Sequence, residues 1–449
     1  MLSTPASQRE VSGRSGNQHR FKLLEGIILF LAVPFLLFPQ VFLPITLTVL
    51  ILLAVIWLLP LLIRPRQPNL PPTPFNIVLI FWCLALSIGI LVTADPAETL
   101  PKATGLILGL AVWRYMAIVV KTRRLVLIAT MVTLLVAIGF SLIGMVALDE
   151  IVKIPVLVSL NPARALSTPV LEGLAIHPNQ LAGLLSLYLP LLFSLLFGGW
   201  KHGWPRGLRV VLVISTLFAL TMLVFTQSRG GWIGFIAGLG ALVALWGIML
   251  PPSRGRTLLR GSSLVVGLVI VVGILMIGPN NIESLWLDPP AETVVGTLET
   301  LNFRRELWPW AVTAIGDFPF TGTGLGSFRH VAFRLYPLSI DPRYDISHAH
   351  NIFLQTALDV GIPGLINYLA LLLLAAGVGW QVARRNSTFR PVALGVLAGL
   401  VAFHVYGQAD AIALGAKPGL ILWMFFGLLT AMNQAIMPVT SQTENAIDH

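Results

Sequence analysis

The chain has 449 residues, of which 56% are hydrophobic and 11% charged, with a formal net charge of +10 and a mean hydropathy of +0.85. A soluble globular chain carries roughly 25% charged residues, so a soluble fold is excluded. The single cysteine, Cys83, excludes an intrachain disulfide and a metal centre built on several cysteines.

The first 22 residues are polar and basic and lead into an apolar block with no small-residue cleavage site, which predicts an uncleaved first span. Apolar blocks at 23–38, 41–63, 75–93, 103–119, 125–148, 180–199, 210–227, 230–250, 261–278, 363–380, 391–409 and 419–437 each approach or exceed the length that crosses a bilayer. The expected fold is all-α: a polytopic integral membrane protein with about 12 transmembrane helices over residues 23–437, between cytoplasmic tails 1–22 and 438–449.

The loops at 64–74, 120–124, 200–209, 251–260 and 381–390 hold fourteen Lys and Arg and no acid, whereas the alternate loops carry Asp95, Glu98, Asp149, Glu150 and Glu172. Basic loops stay cytoplasmic, so the first set and both termini face inward. The positive charge is therefore a topology signal, and no nucleic-acid partner is expected. Two outer loops are long, 149–179 and 279–362, and the second should contain short helices. Long loops in a chain of short ones are where binding and chemistry concentrate.

Four outer stretches collect polar residues. In "HPNQLAGLLSLYLP" (177–190) His177 and Asn179 stand at the mouth of a span, where they read first as a structural cap and second as a substrate contact. In "TQSRGGWIGF" (226–235) an arginine in or near hydrocarbon costs ~2.5–3.5 kcal/mol and needs a partner or a task. Gly230 and Gly231 either let backbone amides approach an anion or serve helix packing; the residues weigh both equally. In "LNFRRELWPWAVTAIGDFPFTGTGLGSF" (301–328) Arg304 and Arg305 precede an amphipathic helix bearing Leu307, Trp308, Ala311, Ala314 and Ile315. The acids Glu306, Asp317, Asp341 and Asp345 are the default partners of this loop's arginines. "GTGLGS" fails the dinucleotide spacing because position 327 is serine and reads as a glycine-rich turn.

The fourth stretch is "HAHNIFLQTALDVGIPG" (348–364). Phe353, Leu354, Ala357 and Leu358 lie three, four, seven and eight residues after His350, one face of a short helix with His350 at its head. Ser347 would be the N-cap, Gly361 the stop, and Pro363 the start of the next span. The positive end of a helix, with cations nearby, favours a neutral imidazole that can accept a proton. His348, His350 and Asp345 lack the i, i+4 pair of a helical zinc site, so no metal is expected there. Inside the spans, Arg114 and His404 are expected to satisfy one another's surroundings or to face a cavity.

Taken in order over about 170–430, these stretches resemble the O-antigen ligase/O-antigen polymerase superfamily of bacterial inner membranes. "HPNQLAG" resembles its entry to a middle span, "QSRGGWIG" its arginine–glycine turn, and "FRRELWPWAVTAIGDFPFTGTGLGSF" its long outer loop. "HNIFLQTALDVGIPG" fits the ligase pattern of His, a polar residue, nine residues, Gly, two residues and a small residue. The resemblance implies a glycosyltransferase that needs no metal or cofactor and inverts the anomeric carbon. Its donor would be a glycan on undecaprenyl pyrophosphate, and its acceptor a glycan, lipid or protein. Arg229 and Arg304 would bind the pyrophosphate, Arg304 rather than Arg305 because it stands four before Trp308. His350 would be the base, with Arg305, His348, Asn351, His177 and Asn179 around the substrate. It also implies a multi-pass protein of the bacterial inner membrane, acting on lipid-borne substrates from the periplasmic or outer side. Hydropathy independently puts His350, Arg229 and Arg304 on one outer face. Two readings stay beside it: a polysaccharide polymerase of the same superfamily, and an inorganic-carbon (bicarbonate) transporter. A transporter places ionisable groups near the bilayer midplane in repeated halves, whereas these gather at one face.

Overall fold

The structure, a computed structural model, describes residues 22–63, 70–145, 176–201, 204–250, 301–338 and 346–436, together with 148, 257 and 261. Among them every regular element is helical. In chain order these are α1 (22–37), α2 (Leu43–Ile63), α3 (Asn76–Leu91), α4 (Pro96–Val119), α5 (Arg123–Met145), α6 (Pro178–Lys201), α7 (Arg206–Phe225), α8 (Arg229–Met249), α9 (Leu301–Asp317), α10 (Phe328–Leu335), α11 (Ile352–Arg385) and α12 (Arg390–Tyr406). A 3₁₀ turn at Lys417–Gly419 leads into α13 (Leu420–Ile436).

Seven of the described segments are long and apolar enough to cross a membrane, and α2, α3 and α12 are shorter apolar helices. Eleven of the twelve expected spans coincide with helices; the block 261–278 lies outside the described residues. The chain is a polytopic helical membrane protein. α4 begins at Pro96 rather than near 103 because Asp95 caps it, its carboxylate accepting from the Ala97 and Glu98 amides, with proline at the first turn where a missing N–H costs nothing.

The centre of the bundle is α6, α12 and α13, nearly wholly buried. Close approach there needs missing side chains, since a Cβ on Gly399 of α12 would lie 2.1 Å from the Leu187 carbonyl of α6. Small residues at helix interfaces are how bundles pack in lipid, where hydrophobicity alone does not drive association. The periphery is apolar and exposed, with Ile51, Ile80, Leu135 and Ile214 turned outward. Arg114 and His404 do not meet. Arg114 pairs with Glu25 of α1 and lies over the Trp57 ring; His404 bonds the Tyr368 hydroxyl at 2.7 Å and faces the Leu400 carbonyl at 2.6 Å.

The outer segment builds a small core of its own from Leu307, Ala311 and Ala314 of α9, Phe328 and Ala332 of α10, and Ile346, Ala349 and Leu358. The amphipathic stripe is as expected, but Arg304 and Arg305 fall inside α9 rather than before it. The turn 322–327 holds three glycines at positive φ and fits into a break in α11. There Val360 and Gly361 leave helical geometry, Thr323 donates to the Leu358 carbonyl at 2.7 Å and Ile362 to that of Pro319 at 2.7 Å. Gly361 has φ +73, and a Cβ on it would lie 2.5 Å from the Phe320 backbone. The expected stop at Gly361 and restart at Pro363 therefore hold. The loop's cations reach outside it: Arg329 pairs with Glu98 at 3.0 Å and His330 with Asp95 at 2.5 Å. Asp317 instead accepts from the Tyr336 hydroxyl at 2.8 Å, and Asp341 and Asp345 lie outside the described residues.

Candidate active site

α11 starts two residues after His350. Asn351, not Ser347, is its N-cap, the side-chain oxygen accepting from the Phe353 and Leu354 amides. Asparagine satisfies the amides left over at a helix start as well as serine does, and here its amide nitrogen also reaches the Gln408 carbonyl at 3.3 Å. The Ile352 amide donates to the Gly407 carbonyl at 2.8 Å. The mouth of α11 is thereby stitched to the loop that follows α12. His350 consequently stands before the cap, at φ +49. Such a conformation costs a non-glycine residue about 1–3 kcal/mol and clusters at functional sites. Gln227, two residues before Arg229, shares it at φ +51.

The residue between the histidines is held from both sides. The Ala349 amide donates to Gln355 Oε1 at 2.8 Å, and its carbonyl accepts from Trp308 Nε1 of α9 at 3.0 Å. Gln355 in turn donates to Asp359 Oδ1 at 2.8 Å, which also takes the Gly326 amide at 2.8 Å. Trp308 lies one turn after Arg304 on the same face of α9, so its bond to Ala349 sets the arginine toward the same place.

His348 and His350 flank one carboxylate. Asp410 Oδ1 is 3.5 Å from His348 Nε2 and 3.3 Å from His350 Nδ1, and it also accepts the Ala411 amide at 2.8 Å. The two rings are 4.2 Å apart at their centroids, and the His350 amide donates to His348 Nδ1 at 3.2 Å. That bond leaves the neutral His348 ring with its proton on Nε2, facing Asp410. Burial drives the His348 pKa down to about 3, helped by His350, Lys102 and His177 and opposed by Asp410. Burial alone would push the Asp410 carboxyl upward, but the His350 contact and the charge of Arg304 outweigh it and keep the carboxyl well below its usual range. Arg304, itself buried, is thus close enough to act on the same carboxylate. The surroundings of His350 are not purely cationic, as the sequence suggested, because an ionised acid sits against it.

The remaining expected residues lie at the same end of the bundle. Arg229 is exposed, one residue after the cap Ser228, and Gly230 faces Ala409 and the Tyr406 ring at ordinary contact distance. Gly231 serves packing: its amide goes to Ser228 Oγ at 3.3 Å, and a Cβ on it would lie 2.6 Å from that of Ala182. His177 is exposed at the mouth of α6; Asn179 is buried, and its carbonyl accepts from the Tyr406 hydroxyl at 2.8 Å. The Arg305 side chain lies outside what is described. Sequence reasoning missed Asp410. Its signal was a lone acid in "GQAD", just past the end of a span on the expected outer side. With it, His348 and His350 offer three ligand atoms within 4.8 Å of one another, a set that by donor type could hold a divalent cation.

The fold and the cluster together define a membrane protein with a buried imidazole–carboxylate site at one end of its bundle. Residues 214–369, which run from within α7 into α11, match the family model for O-antigen ligase. An O-antigen ligase of Pseudomonas aeruginosa is 26% identical over 213 residues, covering 46% of this chain and 45% of that protein. Over these residues the chain is similar to the O-antigen ligase family, and it matches about half the length of this curated relative.

Proposed function

We propose that the protein is a glycosyltransferase of surface-polysaccharide biosynthesis, moving a glycan from undecaprenyl pyrophosphate to an acceptor hydroxyl at the outer face of the bacterial inner membrane, without a metal. The observation that carries this reading is His350 set 3.3 Å from the buried Asp410, beside the buried Arg304. Asp410, 3.3 Å from Nδ1, holds the ring by its charge, and Nε2 takes the proton of the acceptor hydroxyl as its oxygen attacks the anomeric carbon. The anomeric carbon–oxygen bond breaks, and undecaprenyl pyrophosphate leaves with the electron pair. Arg304 and Arg229 stabilise the charge gathering on the pyrophosphate; a preorganised donor of this kind is worth roughly 10²–10³ in rate. His348, His177, Asn179, Asn351 and Arg305 surround the substrate.

The test incubates purified protein in liposomes with an undecaprenyl-pyrophosphate glycan and glycan, lipid or peptide acceptors, and weighs the products. Transfer that persists in EDTA and falls about 10²–10³-fold in Arg304→Ala is the expected result. Transfer abolished by EDTA and restored by zinc would make His348, His350 and Asp410 a metal site instead. Uptake of labelled bicarbonate with no glycan product would replace the enzyme by a transporter.

A further inference from the structure

At the end of the bundle opposite the histidines, the surface between α5 and α7 is recessed into a groove of about 440 Å³. Its lining is wholly apolar, with Leu127, Ile128, Met131 and Leu135 from one side and Trp204 and Leu208 from the other. Its mouth is basic. α5 opens with Arg123 and Arg124 and α7 with Arg206, all three exposed. Arg209 stands one turn beyond Pro205, which lines the groove, and its buried Nε has no hydrogen-bond partner among the described residues.

We propose that this groove binds one acyl chain of an anionic phospholipid, whose phosphate lies against Arg206, Arg209, Arg123 and Arg124. The groove's depth fits. From Arg124 to Leu135 an α-helix rises about 16 Å, half of the ~30 Å hydrocarbon core, which is the reach of one leaflet's chain. An apolar recess alone would take any lipid tail. Selectivity comes from the mouth, because guanidinium forks match phosphate oxygens and each basic side chain near the membrane surface favours an anionic lipid by about five-fold. The ligand is therefore an anionic lipid of the basic-side leaflet, separate from any substrate at the histidine end.

The experiment is native mass spectrometry of the purified chain from a neutral detergent, titrated with phosphatidylglycerol or phosphatidylcholine. The wild type should retain one phosphatidylglycerol with a preference of about ten-fold or more. Arg206→Gln with Arg209→Gln should remove most of that preference. Leu135→Trp, which fills the groove and keeps every arginine, should weaken retention of the lipid. Arg384→Gln with Arg385→Gln removes the same charge from the same end away from the groove and should change nothing. Equal retention of the two lipids by the wild type overturns the proposal, and so does an equal loss in the Arg384/Arg385 variant. Should the Arg206/Arg209 variant fail to fold, undiminished retention by Leu135→Trp overturns it alone.

Discussion

Two helix mouths at the same end of the bundle are built alike and differ in what faces them. At α6, His177 Nδ1 accepts the amide of Asn179, two residues on, at 3.2 Å. Ahead of α11, His348 Nδ1 accepts the amide of His350, also two residues on and also at 3.2 Å. The local turn is the same. His177 is exposed, whereas His348 is buried and shares Asp410 with a second ring. A histidine at a helix mouth is a cap until a buried carboxylate from another part of the chain turns toward it. The difference between the two mouths lies in the loop after α12, not in the motif.

The largest expected contrast between them is in rate. His350→Ala should lower glycan transfer by about 10²–10⁴, the range for loss of a general base. His177→Ala, which removes one substrate contact worth about 0.5–1.5 kcal/mol, should lower it by about ten-fold or less. Equal losses at the two mouths would erase the distinction. Next comes Asp410→Asn, which keeps the shape but removes the charge that orients the ring. A misplaced base costs on the order of 10² in rate, read in the same transfer assay with protein yield unchanged.

A smaller effect concerns stability. Gln355→Leu strands the Ala349 amide and takes a donor from Asp359, and a buried group left without its partner costs about 1–3 kcal/mol. Thermal unfolding in detergent should show a lower midpoint for this variant, with no such change for His177→Ala. The last effect is with pH. The folded-state pKa of His348 lies below its ordinary 6.5, at about 3, so between those values the unfolded chain binds more protons than the folded one. Stability is then full above pH 6.5 and falls as pH drops through that window. Exchange of the Ile346–Phe353 amides should quicken between pH 7 and 4.5, while the α6 mouth changes less.

Much of this was legible from the sequence, for physical reasons. Spans announce themselves because lipid demands long apolar runs, and the break at Gly361 followed from glycine before Ile-Pro. The stripe of Leu307, Ala311 and Ala314 is a local period and survived intact. What could not be read was long-range. Asn351 displaced Ser347 as the cap because Gln408 and Gly407 lie across from it, and neither is near in sequence. Asp410 lies sixty positions from His350, and no local pattern links them. The start of α4 was set too late because its first turns are polar, and they are ordered through Asp95, Glu98 and their partners on α10. The glycines at 230 and 231 look identical in sequence, yet one faces a ring and the other a neighbouring helix.

The most direct measurement is a double-mutant cycle on the transfer rate, with His350→Ala, Asp410→Asn and the two combined. If the carboxylate acts through the imidazole, the double variant is no slower than His350→Ala alone, because residues working as a unit are strongly non-additive. If the two losses multiply, Asp410 and His350 act independently, and the imidazole–carboxylate site proposed here is wrong.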